Sequence, residues 1–322
     1  MLLGFDIGGT KCAVLLGKQE PESIKIIDKV AVPTDLPVYE MIDQLFNIAG
    51  ELIEKNGVKK DQLDGIGISC GGPLSSKKGL ILSPPNLIGW DNVPIVEMAK
   101  ARFGRPVLLQ NDANACAVAE WKYGSGKGYD NIIFLTFGTG MGAGLILDGH
   151  LYSGPSDLAG EVGHIRIGEF GPVGFGKAGS FEGYCSGGGI AQIAQIKARE
   201  KFQVGQSVGY CDRIADLHLI SAKSVAEAAF NGDETAKEVY RICGEYLGKA
   251  LAMFIDLLNP ELIILGSIYG RAQSLIETAM MEVIGREAYF ESASFCKIVS
   301  AGLGENIGDI AALSLAMMSN QA

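Results

Sequence analysis

The chain has 322 residues, 48% of them hydrophobic, and 37 acidic against 27 basic side chains give it a formal charge of −10. That length and apolar content suit a globular protein of about two domains. The acidic balance argues against a nucleic-acid backbone or an anionic membrane as main partner. Seven cysteines, an odd number with no C-x-x-C pair, fit a reducing cytoplasm in which most are small buried hydrophobes.

The first strand starts within a few residues of Met1, which leaves no room for a signal peptide. It ends near Asp6, and the turn Gly8-Gly9-Thr10 leads into Cys12-Ala13-Val14-Leu15-Leu16, a second short apolar run bounded by Gly17. The unit reads as a hairpin. Neither the Rossmann fingerprint nor the P-loop fits, because both open a helix after the glycine turn. Bare backbone N–H groups there suit a phosphate. The plain alternative is a turn that needs glycine at positive φ whatever it binds.

Residues 38–57 carry apolar side chains at helical spacing and close on Gly57 as C-cap. Runs at 63–70 and 105–112 have strand length, and a helix over 113–123 follows Asn111 and Asp112. Residues 131–147 repeat the opening layout of apolar strand, Gly/Thr turn and apolar strand. A glycine-rich loop occupies 154–189, and the longest helix is expected at 233–258. Then come a strand at 261–266, a helix at 271–287, a strand at 297–301 and a last helix at 307–318. The longest apolar stretch, ALAMFIDLLNPELIILG, is broken by Asp256 and by Asn259-Pro260-Glu261, so no span is expected. The pattern is α/β with mixed sheets.

Three constellations carry chemistry. The turns Gly8-Gly9-Thr10-Lys11 and Gly138-Thr139-Gly140-Met141-Gly142 offer N–H groups and hydroxyls for gripping a polyphosphate from two sides. Asp6, an acceptor when ionised, suits water-mediated contact with Mg²⁺. Asp112, between a strand end and a helix start, is either a plain N-cap or a base for an attacking alcohol. Glu161, His164 and Glu182 share one glycine-rich stretch; three histidines in the whole chain make a metal site a poor reading there. Hydrogen bonds to a polyol suit them better, with an ion pair and a solvated glutamate as the bland alternative.

The motifs FDIGGTK, NDANA, GTGMGAG, GEVGH and GSFEG stand in the order and spacing of the ROK family (repressors, open reading frames and kinases) of the actin-like ATPase superfamily. GISCGGPL, SPPNLIGWDNVPI and LNPELIILG add to a likeness that runs from Phe5 to the last helix. The chain resembles the bacterial sugar kinases of that family. The resemblance implies a two-domain α/β fold of the actin-like ATPase (ribonuclease H-like) type with a central cleft. Residues 1–115 would make a small domain to which the final helix, 307–322, returns, and 116–306 a large one. It further implies Asp112 as general base and Gly72, Asn86, Asn111, Glu161, His164 and Glu182 as sugar ligands. Asp6, Gly8, Gly9, Thr10, Lys11, Gly138, Thr139, Gly140 and Gly266 would serve ATP and Mg²⁺.

The implied reaction is transfer of phosphate to a hexose, glucose first, giving glucose 6-phosphate. The same residues serve kinases for N-acetylmannosamine, N-acetylglucosamine, allose and β-glucosides, and fructose is less favoured. Relatives are usually homodimers. Many also hold a structural zinc through the His of G-E-x-G-H and three cysteines, but here Val173, Phe175 and Ser180 occupy the cysteine places, so no zinc is expected. Ser267 and Ala143 stand where relatives often have glycine. The family also includes sugar-sensing repressors with an N-terminal helix-turn-helix; with five residues before Asp6, that regulator reading is disfavoured.

Overall fold

The structure is a computed structural model that describes residues 1–320. Strands β1 (Leu2–Ile7), β2 (Lys11–Gln19) and β3 (Ile24–Pro33) run antiparallel, and helix α1 (Val38–Lys55) follows. Strand β4 (Gly65–Cys70) pairs parallel with β1. After a short ribbon, β5 (Leu74–Ser75) with β6 (Leu80–Ile81), comes α2 (Ile95–Phe103), and β7 (Val107–Asn111) completes a sheet ordered β3-β2-β1-β4-β7. Helix α3 (Asp112–Tyr123) leaves directly from the end of β7. In register, Asp6 faces Ser69, and Cys70 faces Asn111.

Strand alternation divides the apolar side chains between the two faces of this sheet. Leu3, Phe5 and Ile7 join Met41, Leu45 and Phe46 of α1 and Phe103 of α2 in one core cluster. Leu2, Ala13 and Leu15 join Ala115 and Ala119 of α3 and several residues of the last helix in another. That helix lies very close to the sheet. A Cβ on Gly67 would sit 2.0 Å from the Ala312 carbonyl oxygen, and one on Gly65 2.3 Å from that of Ala316. Such approach admits only glycine on the strand, which accounts for part of the high glycine content.

The second five-stranded sheet collects β8 (Ile132–Leu135), β9 (Ala143–Leu147), β10 (His150–Leu151), β13 (Leu262–Leu265) and β14 (Lys297–Ser300). Strand β13 pairs parallel with β8 and with β14. Between β10 and β13 the glycine-rich loop carries structure of its own: a 3₁₀ turn (Val162–His164), a ribbon of β11 (Val173–Gly174) with β12 (Lys177–Ala178), and the short helix α4 (Phe181–Tyr184). Its expected end at 189 is corrected, because α5 (Gly187–Gln203) starts inside it; Ser186 caps that helix by accepting from Gly189 N–H at 3.0 Å.

Helices α6 (Ala222–Phe230), α7 (Glu234–Leu258), α8 (Ile268–Glu287), α9 (Phe290–Phe295) and α10 (Ile307–Met318) complete the chain. Residues 321 and 322, placed by the sequence reading in the final helix, lie outside the described residues. By contacts, Met1–Asp130, Gly144–Ala159 and the stretch from Gly302 form one compact unit, and Asn131–Ala143 with Gly160–Ala301 form another. Among the described residues no helix is long and apolar enough to cross a membrane.

Candidate functional site

The first unit holds Asp6, Gly8, Gly9, Thr10, Lys11, Gly72, Asn86, Asn111 and Asp112. Neither Gly8 nor Gly9 has a positive φ, so the hairpin does not need glycine for the expected reason. Close approach is the reason instead. A Cβ on Gly9 would lie 2.3 Å from the Asn86 carbonyl oxygen, so the first glycine loop abuts the Asn86 segment. The turn closes through Gly8 N–H to the Lys11 carbonyl at 3.2 Å, and Thr34 Oγ1 donates to the Gly8 carbonyl at 2.7 Å. Thr10 and Lys11 stay exposed, with hydroxyl and ammonium accessible to a ligand.

Asn111, not Asp112, is the N-cap of α3. Its Oδ1 accepts from Ala113 and Asn114 N–H at 2.8 and 3.3 Å. Asp112 is therefore a first-turn residue, and the plain capping explanation for it falls away. Its Oδ1 accepts from Ala113 N–H at 2.8 Å, and the residue remains exposed. A Cβ on Gly72 would come 3.2 Å from Asn111 Nδ2, so Gly72, Asn111 and Asp112 form one patch.

Asp6 stands near this patch. Burial first, then the negative charges of Asp112 and Asp309, push its carboxyl up from 3.8 to about 6, against the pull of Lys29 and Lys11. Lys29 itself is held by Asp309 at 2.6 Å. Crowding by surrounding atoms also pushes Asp112 up, with its own backbone hydrogen bonds opposing. Because Asp112 is exposed, water moderates that push. Burial and the negative charges of Asp112 and Asp309 raise the proton affinity of Asp6, and such a carboxylate also favours a cation nearby.

The second unit holds Gly138, Thr139, Gly140, Glu161, His164, Glu182 and Gly266. Glu182, in the first turn of α4, accepts from Met141 N–H at 3.0 Å and fills the space beside Gly140. A Cβ on Gly163 would lie 2.3 Å from the Met141 carbonyl oxygen. The second glycine loop, the Glu161–His164 turn and the Glu182 helix are thereby packed on one another. Glu161 and His164 are exposed, Lys177 Nζ donates to the His164 carbonyl at 2.6 Å, and Phe175 meets the His164 ring edge-to-face at 5.1 Å. At the other two places of the zinc pattern, Val173 sits in β11, and Ser180 caps α4 by accepting from Gly183 N–H.

A feature the sequence reading missed lies in the same unit. Gly266 N–H donates to Leu135 and Ile268 N–H to Phe137, which lays the 266–268 corner beside the second loop. Next to it opens a cavity of about 930 Å³. Gly138, Thr139, Gly187, Gly188 and Ser267 line one part of it, and Ser221, Lys223, Glu227, Phe230 and Arg271 another. Its volume, apolar walls and few polar groups suit a drug-sized ligand. At the start of α5, Gly187 N–H donates to the Gly138 carbonyl at 2.8 Å and Gly189 N–H to Ser186 Oγ, and the helix N-terminus as a whole favours negative charge. The Ser186-Gly187-Gly188-Gly189 run was the one local signal for it, as a cap followed by glycines. The rest of the lining comes from α6 and the residues leading into it, from α7 and from α8, with no common spacing.

The sequence model of the ROK family matches residues 2–319, and the chain belongs to that family. Among curated relatives it is similar to the glucokinase of Thermotoga maritima, with 29% identity over 98% of this chain and 96% of the other. It is also similar to a xylose repressor of Caldicellulosiruptor bescii, 28% identical over 89% of this chain and 71% of the other. A ROK glucokinase from Streptomyces griseus, solved with glucose and AMPPNP, superposes with a TM-score of 0.76 at 28% identity, covering 98% of this chain and 99% of that one. The mixed α/β architecture with two five-stranded sheets is accordingly that of the actin-like ATPase superfamily, as the resemblance implied.

Proposed function

We propose that the protein is an ATP-dependent hexose kinase acting on the C6 hydroxyl of glucose. The observation that carries this reading is Asp112: an exposed carboxylate in the first turn of α3, next to the capping Asn111 and close in charge to Asp6. A carboxylate of that kind accepts the proton of a sugar hydroxyl as it attacks the terminal phosphate of ATP. Phosphoryl transfer has a loose transition state, so positioning and charge neutralisation matter most. Gly72, Asn86 and Asn111 in one unit, and Glu161, His164 and Glu182 in the other, are the proposed sugar ligands.

Thr10, Lys11 and the amide of Gly9 meet phosphate from one loop, which Gly8 closes; Gly138, Thr139 and Gly140 meet it from the other. The nucleoside takes the cavity beside Ser267, at the end of the corner that starts with Gly266. Among the described residues no group of three or more His, Cys, Asp or Glu could hold a metal. Mg²⁺ needs no such cage, since one or two carboxylates, waters and substrate phosphates hold it. Asp6 with Asp112 fits that requirement; when bound, Mg²⁺ supplies positive charge to the phosphates.

A cytoplasmic location and homodimeric assembly go with this reading through the family resemblance. The test is Mg²⁺-dependent ADP release with glucose, mannose, fructose, allose, N-acetylhexosamines and β-glucosides. Turnover on glucose above the other sugars is expected. Preference for another hexose would reassign the substrate, and binding of a sugar without turnover on any would leave a sugar sensor.

A further inference from the structure

Asp157 has an improbable place. It is a non-glycine residue at φ +60, and the residue is 7% exposed. Its carboxylate accepts from Ser76 N–H at 3.0 Å and from Ser76 Oγ at 2.5 Å. No cation pairs with it among the described residues. A buried carboxylate without a cation and a left-handed backbone are each unfavourable, and such combinations persist where the surroundings need one geometry. Ser76 opens the β5–β6 turn, and β5 (Leu74–Ser75) ties it to the bend at Gly72, which abuts Asn111.

The loop bearing Asp157 has a second fastening. Gln110 Nε2 donates to Ser153 Oγ at 3.2 Å, and Gln110 Oε1 accepts from Asn114 Nδ2 at 3.1 Å and from Asn111 N–H at 3.2 Å. The loop folds on itself through Ala159 N–H to the Ser153 carbonyl at 3.0 Å. So one loop holds both the β5–β6 turn, which β5 joins to the Gly72 bend, and the end of β7, which leads to Asn111 and Asp112. All of these residues belong to the first unit.

We propose that Asp157 is a positioning residue for the sugar site: by gripping Ser76 it keeps the Gly72 turn seated against Asn111, and with Ser153 it fixes the end of β7. The proposal rests on the sugar-kinase reading. Asp157 touches neither substrate nor reacting atoms; it acts through Ser76. The grip needs an acceptor at this place, so an asparagine that still accepts from Ser76 N–H retains most of it.

The experiment compares wild type with Asp157→Ala, Asp157→Gly, Asp157→Asn and Ser76→Ala. Glycine relieves the backbone strain while removing the grip, which separates stability from positioning. Expected are a glucose KM raised about tenfold by Asp157→Ala and Asp157→Gly, the loss of one charge-assisted hydrogen bond. KM for ATP stays within about twofold, Asp157→Asn restores most of the glucose KM, and amide exchange at 71–76 speeds up about tenfold in the first two variants. An unchanged glucose KM in Asp157→Gly overturns the proposal, whatever the Tm. If wild type turns over no sugar, the kinase reading fails by itself, and unchanged exchange at 71–76 in Asp157→Gly then overturns the grip.

Discussion

The two glycine loops look alike in sequence and differ in chemistry. Each joins two apolar strands through Gly and Thr, yet the first is set among carboxylates and the second among amides. Near the first stand Asp6, Asp112 and Asp309, with Asp6 pushed up to about 6 by burial and by its neighbours. Beside the second, Glu182 accepts from Met141 N–H, and the glycine start of α5 borders a cavity of about 930 Å³. A repeated pattern therefore carries two duties, one that suits a cation and a proton and one that suits an anion and a nucleoside. What distinguishes them is the environment each loop is folded into.

The largest expected effect separates the two sides most sharply. Asp112→Asn should lower kcat about 10²- to 10⁴-fold while KM for ATP changes little; retention of a tenth of the wild-type kcat in steady-state assays would remove the base from the first loop's side. Next is the pH response of Asp6. Its carboxyl keeps its proton up to about 6 in the folded protein and only to about 3.8 when unfolded. The native state then binds more protons between those values, so stability falls as pH rises through this window, by on the order of 3 kcal/mol. Thermal unfolding from pH 4 to 7 should show that decline in wild type and a flatter profile in Asp6→Asn; equal slopes would dismiss the raised Asp6 carboxyl.

Two glycine substitutions sharpen the comparison further. In Gly9→Ala the new methyl meets the Asn86 carbonyl oxygen at 2.3 Å, a backbone atom that cannot turn away, so about 2 kcal/mol of stability should be lost. Gly140→Ala meets only the Glu182 carboxylate at 2.8 Å, a side chain that can rotate. That change should cost under about 1 kcal/mol. Denaturant melts of the two variants that ranked them in the reverse order would mean that the second loop, not the first, is the rigid one.

Many strands and helices were legible because their signals are local, whereas β3, α2 and α9 were not read from the sequence. The run from Cys12 to Leu16, the helical spacing ahead of Gly57 and the capping Asp233 before α7 each state their structure within a turn or two. Asp112 was legible as a candidate but not as a first-turn residue, because the choice between Asn111 and Asp112 as cap depends on which side chain turns back onto the helix. The reason for Gly9 was misread for a similar cause: its neighbour, Asn86, is far along the chain, and close approach leaves no mark at the turn itself. Gly138, Thr139 and the Gly266 corner were legible as nucleotide candidates, but the rest of the cavity lining and the Asp157 grip were not. Lys223, Phe230 and Arg271, like Ser76 and Asp157, are common residue types joined only by folding.

The most direct measurement is the identity of the product made from ATP and glucose, read by phosphorus and proton NMR on the unfractionated mixture. A phosphate ester on the C6 oxygen, formed by wild type and absent with Asp112→Asn, is the expected result. Release of inorganic phosphate with the glucose unaltered, or the same ester formed at the wild-type rate by Asp112→Asn, would contradict it.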